Sequence, residues 1–522
     1  MIELAKSVDL FYSLLLFFRR IKKEMWYVFI IYFLLFSSKS LGQKNIATNE
    51  NISEISLNEI LYIAAEKSLN TFKAKNQYGA KYWEFKSFKS SLLPKIEFEL
   101  RPFTFNRSVV QRFDSEQNIE VFRSQQTLNS FANISLSQNI SATGGTVFLN
   151  SNFNRLVNFG DLDIENYSVA PIRIGFNQPL MAFNNFKWAN KIEPLKYEKS
   201  KQDLIYELQN INLEAIELFF NWALSHKKVD IAKENKLSTS KLFKIGKKRY
   251  DLGSIEKDDL LNLELDVYNA NTNLTQTQKE LEKDKTNILL FLRDDSLLYT
   301  VPKLPELISK LQINIDNAMS LARENNPRIL ELKLKKIEAL RDLDRIIKEN
   351  RFELSFNASY GLNQRSSAFR DAYSNFLDQQ SIAVQFKVPI LDWGERKGNI
   401  KTAKINKEVT EIEVQQAQDK FKQEIALKIT DFNLQEQLVS VALRSSEISR
   451  VSYKITEKRF LSGRIDLLKL TSARKAWQTA SENYIRSLHN YWRFYYEVQQ
   501  ITLYDFLNKR TLKEDFEKII AK

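Results

Sequence analysis

Apolar side chains recur along this chain in two rhythms. Between about 183 and 248, Leu204, Leu208, Ile211, Ala215, Leu218 and Trp222 step alternately by four and three residues. That spacing keeps one stripe of a helix turned toward a partner helix, so it predicts a long coiled-coil helix. At ~1.5 Å per residue such a helix is on the order of 100 Å long. A second one is predicted over about 394–458, where Val414, Phe421, Ile425 and Phe432 hold the same seam and Gln418 and Lys428 interrupt it. Those stripes read as helix packing rather than as a cofactor site.

The other rhythm has a period of two. Lys95-Ile96-Glu97-Phe98-Glu99-Leu100, Phe131-Ala132-Asn133-Ile134-Ser135-Leu136-Ser137 and Thr146-Val147-Phe148-Leu149-Asn150-Ser151-Asn152-Phe153 alternate apolar with polar. So do Glu353-Leu354-Ser355-Phe356-Asn357-Ala358 and Ile382-Ala383-Val384-Gln385-Phe386. These are strands with one oily and one wet face, expected over about 95–180 and about 352–391. Asn, Ser and Gln dominate the wet face, which suits lipid outside and a hydrated lumen inside; a soluble sheet with one buried face is the alternative. Ala142-Thr143-Gly144-Gly145-Thr146 reads as a hairpin turn. The count, four or six strands, stays open, and either is too few to close a wide membrane barrel. Since open edges are not tolerated in lipid, the chain is expected to oligomerise.

Short stretches recur at one fixed distance. Arg249-Tyr250-Asp251-Leu252-Gly253-Ser254-Ile255 returns as Arg459-Phe460-Leu461-Ser462-Gly463-Arg464-Ile465, an offset of 210 (459 − 249). Phe176-Asn177-Gln178-Pro179-Leu180 returns as Phe386-Lys387-Val388-Pro389-Ile390, again at 210 (386 − 176). One unit used twice is the expected cause. A weaker echo pairs Ala64-Ala65-Glu66 with Ala322-Arg323-Glu324 at 258, which assigns the first copy about 48 extra residues (258 − 210) before its Phe-x-x-Pro element. The first repeat is placed at 53–300, with a return helix after its tip, and the second at 310–506, built the same way. A linker at 301–309 holds Pro302 and Pro305, and tails occupy 43–52 and 507–522. Gly253 and Gly463 each follow a basic last turn and precede renewed helical spacing, so both mark tight helix reversals at hairpin tips.

Composition narrows the function. Gly (12) and Pro (9) are scarce enough to permit long helices, and the absence of Cys excludes disulfides, thiolate metal sites and thiol catalysis. Only His226 and His489 are available for imidazole chemistry. Although the net charge is +13, the 77 basic and 64 acidic residues are interspersed, which reads as solvated helix faces and not as a nucleic-acid surface. Arg19, Arg20, Lys22 and Lys23 precede an apolar run from Trp26 to Phe36, with small Ser40 and Gly42 beyond it, so 1–42 reads as a signal peptide, with Met25 as an alternative start that would make the stretch before it an extension. No phosphate-binding loop, dinucleotide fingerprint, zinc-protease or serine-hydrolase motif occurs, so no enzyme, cofactor or metal site is expected.

The twofold helix-strand-strand-helix order, the Phe-x-x-Pro entry into each long helix and the Arg-[Tyr/Phe]-x-x-Gly-x-Ile tips together resemble the TolC-type outer membrane efflux proteins. The resemblance implies a mixed α+β membrane protein: a homotrimer with a β-barrel shared between protomers in outer-membrane lipid and an α-helical tunnel in the periplasm. It implies docking of a periplasmic adaptor and an inner-membrane pump at Arg249, Tyr250, Gly253, Ile255, Arg459, Phe460, Gly463 and Ile465. Phe176, Pro179, Phe386 and Pro389 then mark the barrel-to-helix junctions. Family members that tie their tips with an Arg and an Asp differ here, where Ile465 and Ser472 stand in those places, so a periplasmic gate is expected among Glu256, Asp258, Asp259, Arg464 and Lys469. The expected role is passive conduction in tripartite efflux or type I secretion; the alternative is an exported or cytosolic coiled-coil scaffold without transport.

Overall fold

The computed structural model describes residues 53–116, 118–159, 163–307 and 311–521. The signal segment and the first tail expected from the sequence lie outside the described residues.

Four helices of the first half have counterparts of identical length in the second. α1 (Leu57–Lys67) and α2 (Leu69–Ser91) match α5 (Ile315–Asn325) and α6 (Pro327–Glu349), 11 and 23 residues each, at an offset of 258 (315 − 57). α3 (Asn185–Asp251) and α4 (Lys257–Leu292) match α7 (Glu395–Leu461) and α8 (Leu467–Thr502), 67 and 36 residues each, at 210 (395 − 185). Each short pair is broken where a side chain caps the next helix: Ser68 accepts from the Asn70 amide, and Asn326 from the Arg328 amide.

Between α2 and α3 run four strands, β2 (Lys95–Asp114), β3 (Ile119–Ile140), β4 (Gly145–Phe159) and β5 (Ile164–Leu180). Between α6 and α7 run two, β7 (Glu353–Ser366) and β8 (Leu377–Lys387). They form one antiparallel sheet in the order β2-β3-β4-β5-β7-β8, which resolves the strand count at six. β4 and β5 correspond to β7 and β8 at the 210 offset, so the β2–β3 hairpin is the surplus of the first half. From Ile119 to Gln125, β3 pairs β2 alone, because its ladder with β4 begins only at Gln126. At ~3.4 Å per residue this carries the hairpin about 24 Å past the β4 end.

The sheet separates polar from apolar across its strands. Ile96, Leu136, Leu149, Ile174 and Tyr360 lie opposite one another in a row on one face. One residue along, Glu97, Ser135, Asn150, Arg173 and Gly361 form a row on the other. Arg173 Nε donates to Asn150 Oδ1 at 3.1 Å within that polar row. Pro179 fits in β5 because the β4 ladder stops at Asn177, leaving it only the β7 neighbour and no donor to miss.

The main core lies well away from the sheet, where α1, α4 and α5 wrap the middle of α3, α7 and α8. Trp222, Phe219, Phe220, Phe432, Tyr491 and Tyr495 are all fully buried there. β1 (Ser53–Ser56) pairs in parallel with β6 (Thr300–Lys303) beside this core. A second, smaller cluster surrounds the far ends of the hairpins: Ile231 and Leu242 of α3, Leu263 of α4, Tyr453 and Phe460 of α7, Leu470 and Trp477 of α8. Among the described residues no helix is long and apolar enough to cross a membrane.

Candidate functional site

Each long helix ends on three basic or aromatic residues and a glycine, and the backbone shows why. Gly253 and Gly463 have φ of +68° and +74°, the left-handed region that side chains disfavour. There the Gly253 amide donates to the Tyr250 carbonyl and the Ser254 amide to that of Arg249, both at 2.8 Å. At the second tip, Gly463 donates to Phe460 at 2.9 Å and Arg464 to Arg459 at 3.0 Å. These paired bonds are a Schellman closure, which satisfies carbonyls the helix would otherwise leave open. The chain then reverses into α4 and α8, and Asp466 caps α8 by accepting from the Lys469 amide at 2.8 Å.

The two tips meet side by side within one chain. A cleft of about 400 Å³ between them is lined by Arg249, Ile255, Asp259, Phe460, Gly463 and Ile465 among others. Ile255 and Ile465 pack against the tip cluster, so their first role is to hold the turns down. Arg249 does more: its Nη2 donates to the carbonyls of Leu461 at 2.9 Å and Phe460 at 3.4 Å, and its guanidinium lies 5.9 Å from the Phe460 ring centre. A cation thus closes the negative end of the opposite long helix and ties hairpin to hairpin. The sequence placed Arg249 at the end of its own helix, and the resemblance put it at the docking tip, but neither showed this contact with the second hairpin.

The expected gate residues are not joined in the chain. Glu256, Asp258, Asp259, Arg464 and Lys469 are all exposed, and among the described residues no ion pair links any of them. Asp258 and Asp259 stand in the first turn of α4, where carboxylates complement the helix dipole. Instead, Arg474 of α8 meets Asp266 of α4 at 3.4 Å. Farther up, Ser238 Oγ donates to Glu457 Oε1 at 2.8 Å and receives from Tyr453 Oη at 3.3 Å. Burial holds that Tyr453 hydroxyl above its usual pKa. The periodicity could not show these pairs, because their partners lie more than 200 residues apart.

At the other end, the junction residues divide. Phe176 and Pro179 lie within β5 and Phe386 within β8, whereas Pro389 follows the last strand and accepts from Arg396 Nη2 at 3.0 Å through its carbonyl. Asn184 caps α3 by accepting from the Lys187 amide and clamps the β3–β4 turn by donating to the Ser141 carbonyl at 2.9 Å. At the equivalent place before α7, Asp392 accepts from the side chain and amide of Arg396 and from the amide of Gly394. The Arg396 side chain first, then these amides, lower the Asp392 carboxyl to about 2. Asn184 thus ties α3 to the sheet, whereas the Asp392–Arg396 bonds order the link that leads into α7.

Replacing Arg249 by Ala is expected to loosen the tips selectively. Losing two charge-assisted hydrogen bonds should raise amide exchange at 253–254 and 463–464 about tenfold, leaving the main core protected. Hydrogen-exchange mass spectrometry checks this; unchanged tip exchange would show the contact to be idle.

Residues 318–495 match the outer membrane efflux protein family. No curated protein matches the sequence. Among solved structures, the CmeC outer membrane channel of Campylobacter jejuni superposes with a TM-score of 0.62 at 15% identity, over 89% of this chain and 88% of that one. A membrane protein of Pseudomonas aeruginosa gives 0.61 at 13%, over 86% and 91%. The outer membrane protein VceC of Vibrio cholerae gives 0.57 at 10%, over 86% and 95%. At these identities the likeness establishes the fold, long helical hairpins beneath an antiparallel sheet.

Proposed function

We propose that this chain, which belongs to the TolC-type outer membrane efflux protein family, works as a homotrimeric channel-tunnel that conducts substrate passively across the outer membrane. The observation that carries the proposal is the unfinished sheet. Its edges, β2 and β8, run antiparallel to each other and have no strand partner on their outer sides among the described residues, while Phe98, Leu100, Phe105, Ile382, Val384 and Phe386 stand exposed along them. In lipid such edges must be paired, and β8 of one copy beside β2 of the next does so. Three copies of six strands give a barrel of eighteen (3 × 6), oily rows outward and polar rows inward.

The matched helix lengths support descent from a duplicated unit, with domains near 53–300 and 310–506. The hairpins extend the lumen into the periplasm, and the tip residues around Arg249, Gly253, Arg459 and Gly463 receive a periplasmic adaptor and, through it, an inner-membrane pump. Glu256, Asp258 and Asp259 ring the tip opening as an acidic constriction. The pump does the work; this chain supplies the path, with no enzyme step or cofactor.

Substituting Gly253→Trp and Gly463→Trp together is expected to weaken adaptor co-purification about tenfold, since a side chain at a left-handed position costs ~1–2 kcal/mol and disturbs each turn. Trimers in the outer-membrane fraction should persist. Unchanged export by the double variant would remove the tips from docking, and extraction of the wild type by salt alone would remove it from the membrane.

A further inference from the structure

The two hairpins are alike in sequence and length but differ in what covers them. On α3, Ile231 and Leu242 are buried in the tip cluster that includes Leu470 and Trp477 of α8, Ile231 to 5% exposure. The counterpart of Ile231 on α7 is Val441, at 61%. Val441 belongs to a heptad line, Leu427, Leu434, Val441, Ile448 and Ile455, whose members are all exposed. Such a line is one half of a coiled-coil seam. Within the chain the seam is made by α3 against α8; its equivalent is α7 against α4 of a second copy.

Arg459 stands at the end of this open seam, the counterpart of Arg249. The two arginines differ as the seams do. Arg249 has its carbonyl acceptors and its ring, whereas the Arg459 side chain is exposed and has no hydrogen bond or ion pair among the described residues. The receiving side is vacant in the same way. A Cβ at Gly463 would lie 3.6 Å from the Arg249 guanidinium, whereas at Gly253 nothing lies within 4 Å. Phe460, under Arg249, is 9% exposed; its counterpart Tyr250 is 39% exposed.

We propose that the Arg459 side chain clasps the neighbouring copy, donating to the carbonyls of that copy's Tyr250 and Asp251 at the end of α3 and covering its Tyr250 ring. These acceptors follow from the observed ones by the repeat (460 − 210 and 461 − 210). In the trimer, clasps within a chain by Arg249 and between chains by Arg459 alternate around the tunnel mouth, so parting the tips requires breaking both kinds. The clasp rests on the trimeric reading above.

The absence of cysteine makes the test direct. Trimers of the Arg459→Cys/Asp251→Cys variant, treated with a short bis-maleimide, should give covalently linked copies on a denaturing gel, while Arg459→Cys alone gives none. The Arg249→Cys/Leu461→Cys pair should join within one copy and leave monomer-sized chains. In the same preparations, native mass spectrometry reads the assembly state. Trimers with no inter-copy product would overturn the clasp and spare the channel; absence of trimers in the wild type would overturn both. As the energetic arm, Arg459→Ala in the assembled protein should accelerate exchange of the 252–254 amides about tenfold, with Arg459→Lys between it and wild type. No acceleration would reduce the contact to mere proximity and overturn the clasp.

Discussion

If the proposed trimeric barrel holds, excising residues 95–142, which removes the β2–β3 hairpin, is expected to leave a chain that still folds and assembles, around a barrel narrower by about a third. Those 48 residues (142 − 95 + 1) are the whole difference between the offset of the early helices and that of the long ones. Without them α2 meets β4 through a short link, as α6 already meets β7 through Asn350-Arg351-Phe352. The new edge is β3's former partner β4, antiparallel to β8 just as β2 is. Each copy would then give four strands (6 − 2), and three copies twelve. Because barrel diameter grows roughly in proportion to strand number, twelve against eighteen predicts about two-thirds of the width. Electron microscopy of detergent-solubilised particles measures it. A barrel of unchanged diameter would mean that the hairpin folds outside the wall, and loss of all trimers would mean that β2 is indispensable to closure.

The sequence was most legible where a pattern repeats. Steps of four and three residues marked α3 because the same stripe faces a partner over many turns, and the observed helix begins at Asn185 and ends at Asp251, beside the tip glycine. The offset of 258 against 210 located an insertion, but not its form. Alternation in Lys95–Leu100 gave a strand without saying whether it pairs at an edge or in the middle, so four and six strands remained equal until the ladder was seen. Contacts made once are invisible to periodicity. Arg249 reads as an ordinary basic last turn because its acceptors are backbone carbonyls, which carry no residue signature. The expected gate residues form no pair within the chain among the described residues, since charge near a helix start already has a use at the dipole, and Arg474 with Asp266 joins the hairpins higher up.

Truncation of Trp222 and of Trp477 is expected to give opposite patterns of damage, although both are buried indoles on the hairpins. Trp222 is 1% exposed in the main core, among Phe219, Phe220 and residues of α1, α4 and α5. A cavity there cannot collapse without moving several helices, so Trp222→Ala should cost about 3–5 kcal/mol of global stability, a large share of the ~5–15 kcal/mol a folded domain possesses. Guanidinium unfolding followed by circular dichroism should show the midpoint fall. Trp477 stacks flat on Tyr453, with ring centres 5.3 Å apart, inside the small tip cluster. Few buried neighbours depend on it, and the hairpin beyond it is tied chiefly by Arg249, so Trp477→Ala should open the tip locally and barely shift the midpoint. Hydrogen exchange would rise at 240–265 and 450–470 alone. The proposed channel, opening at its far end, needs this division: a stiff middle and tips held by a few breakable contacts. Equal global losses for the two variants would show that the tips unfold with the core and cannot part independently of it.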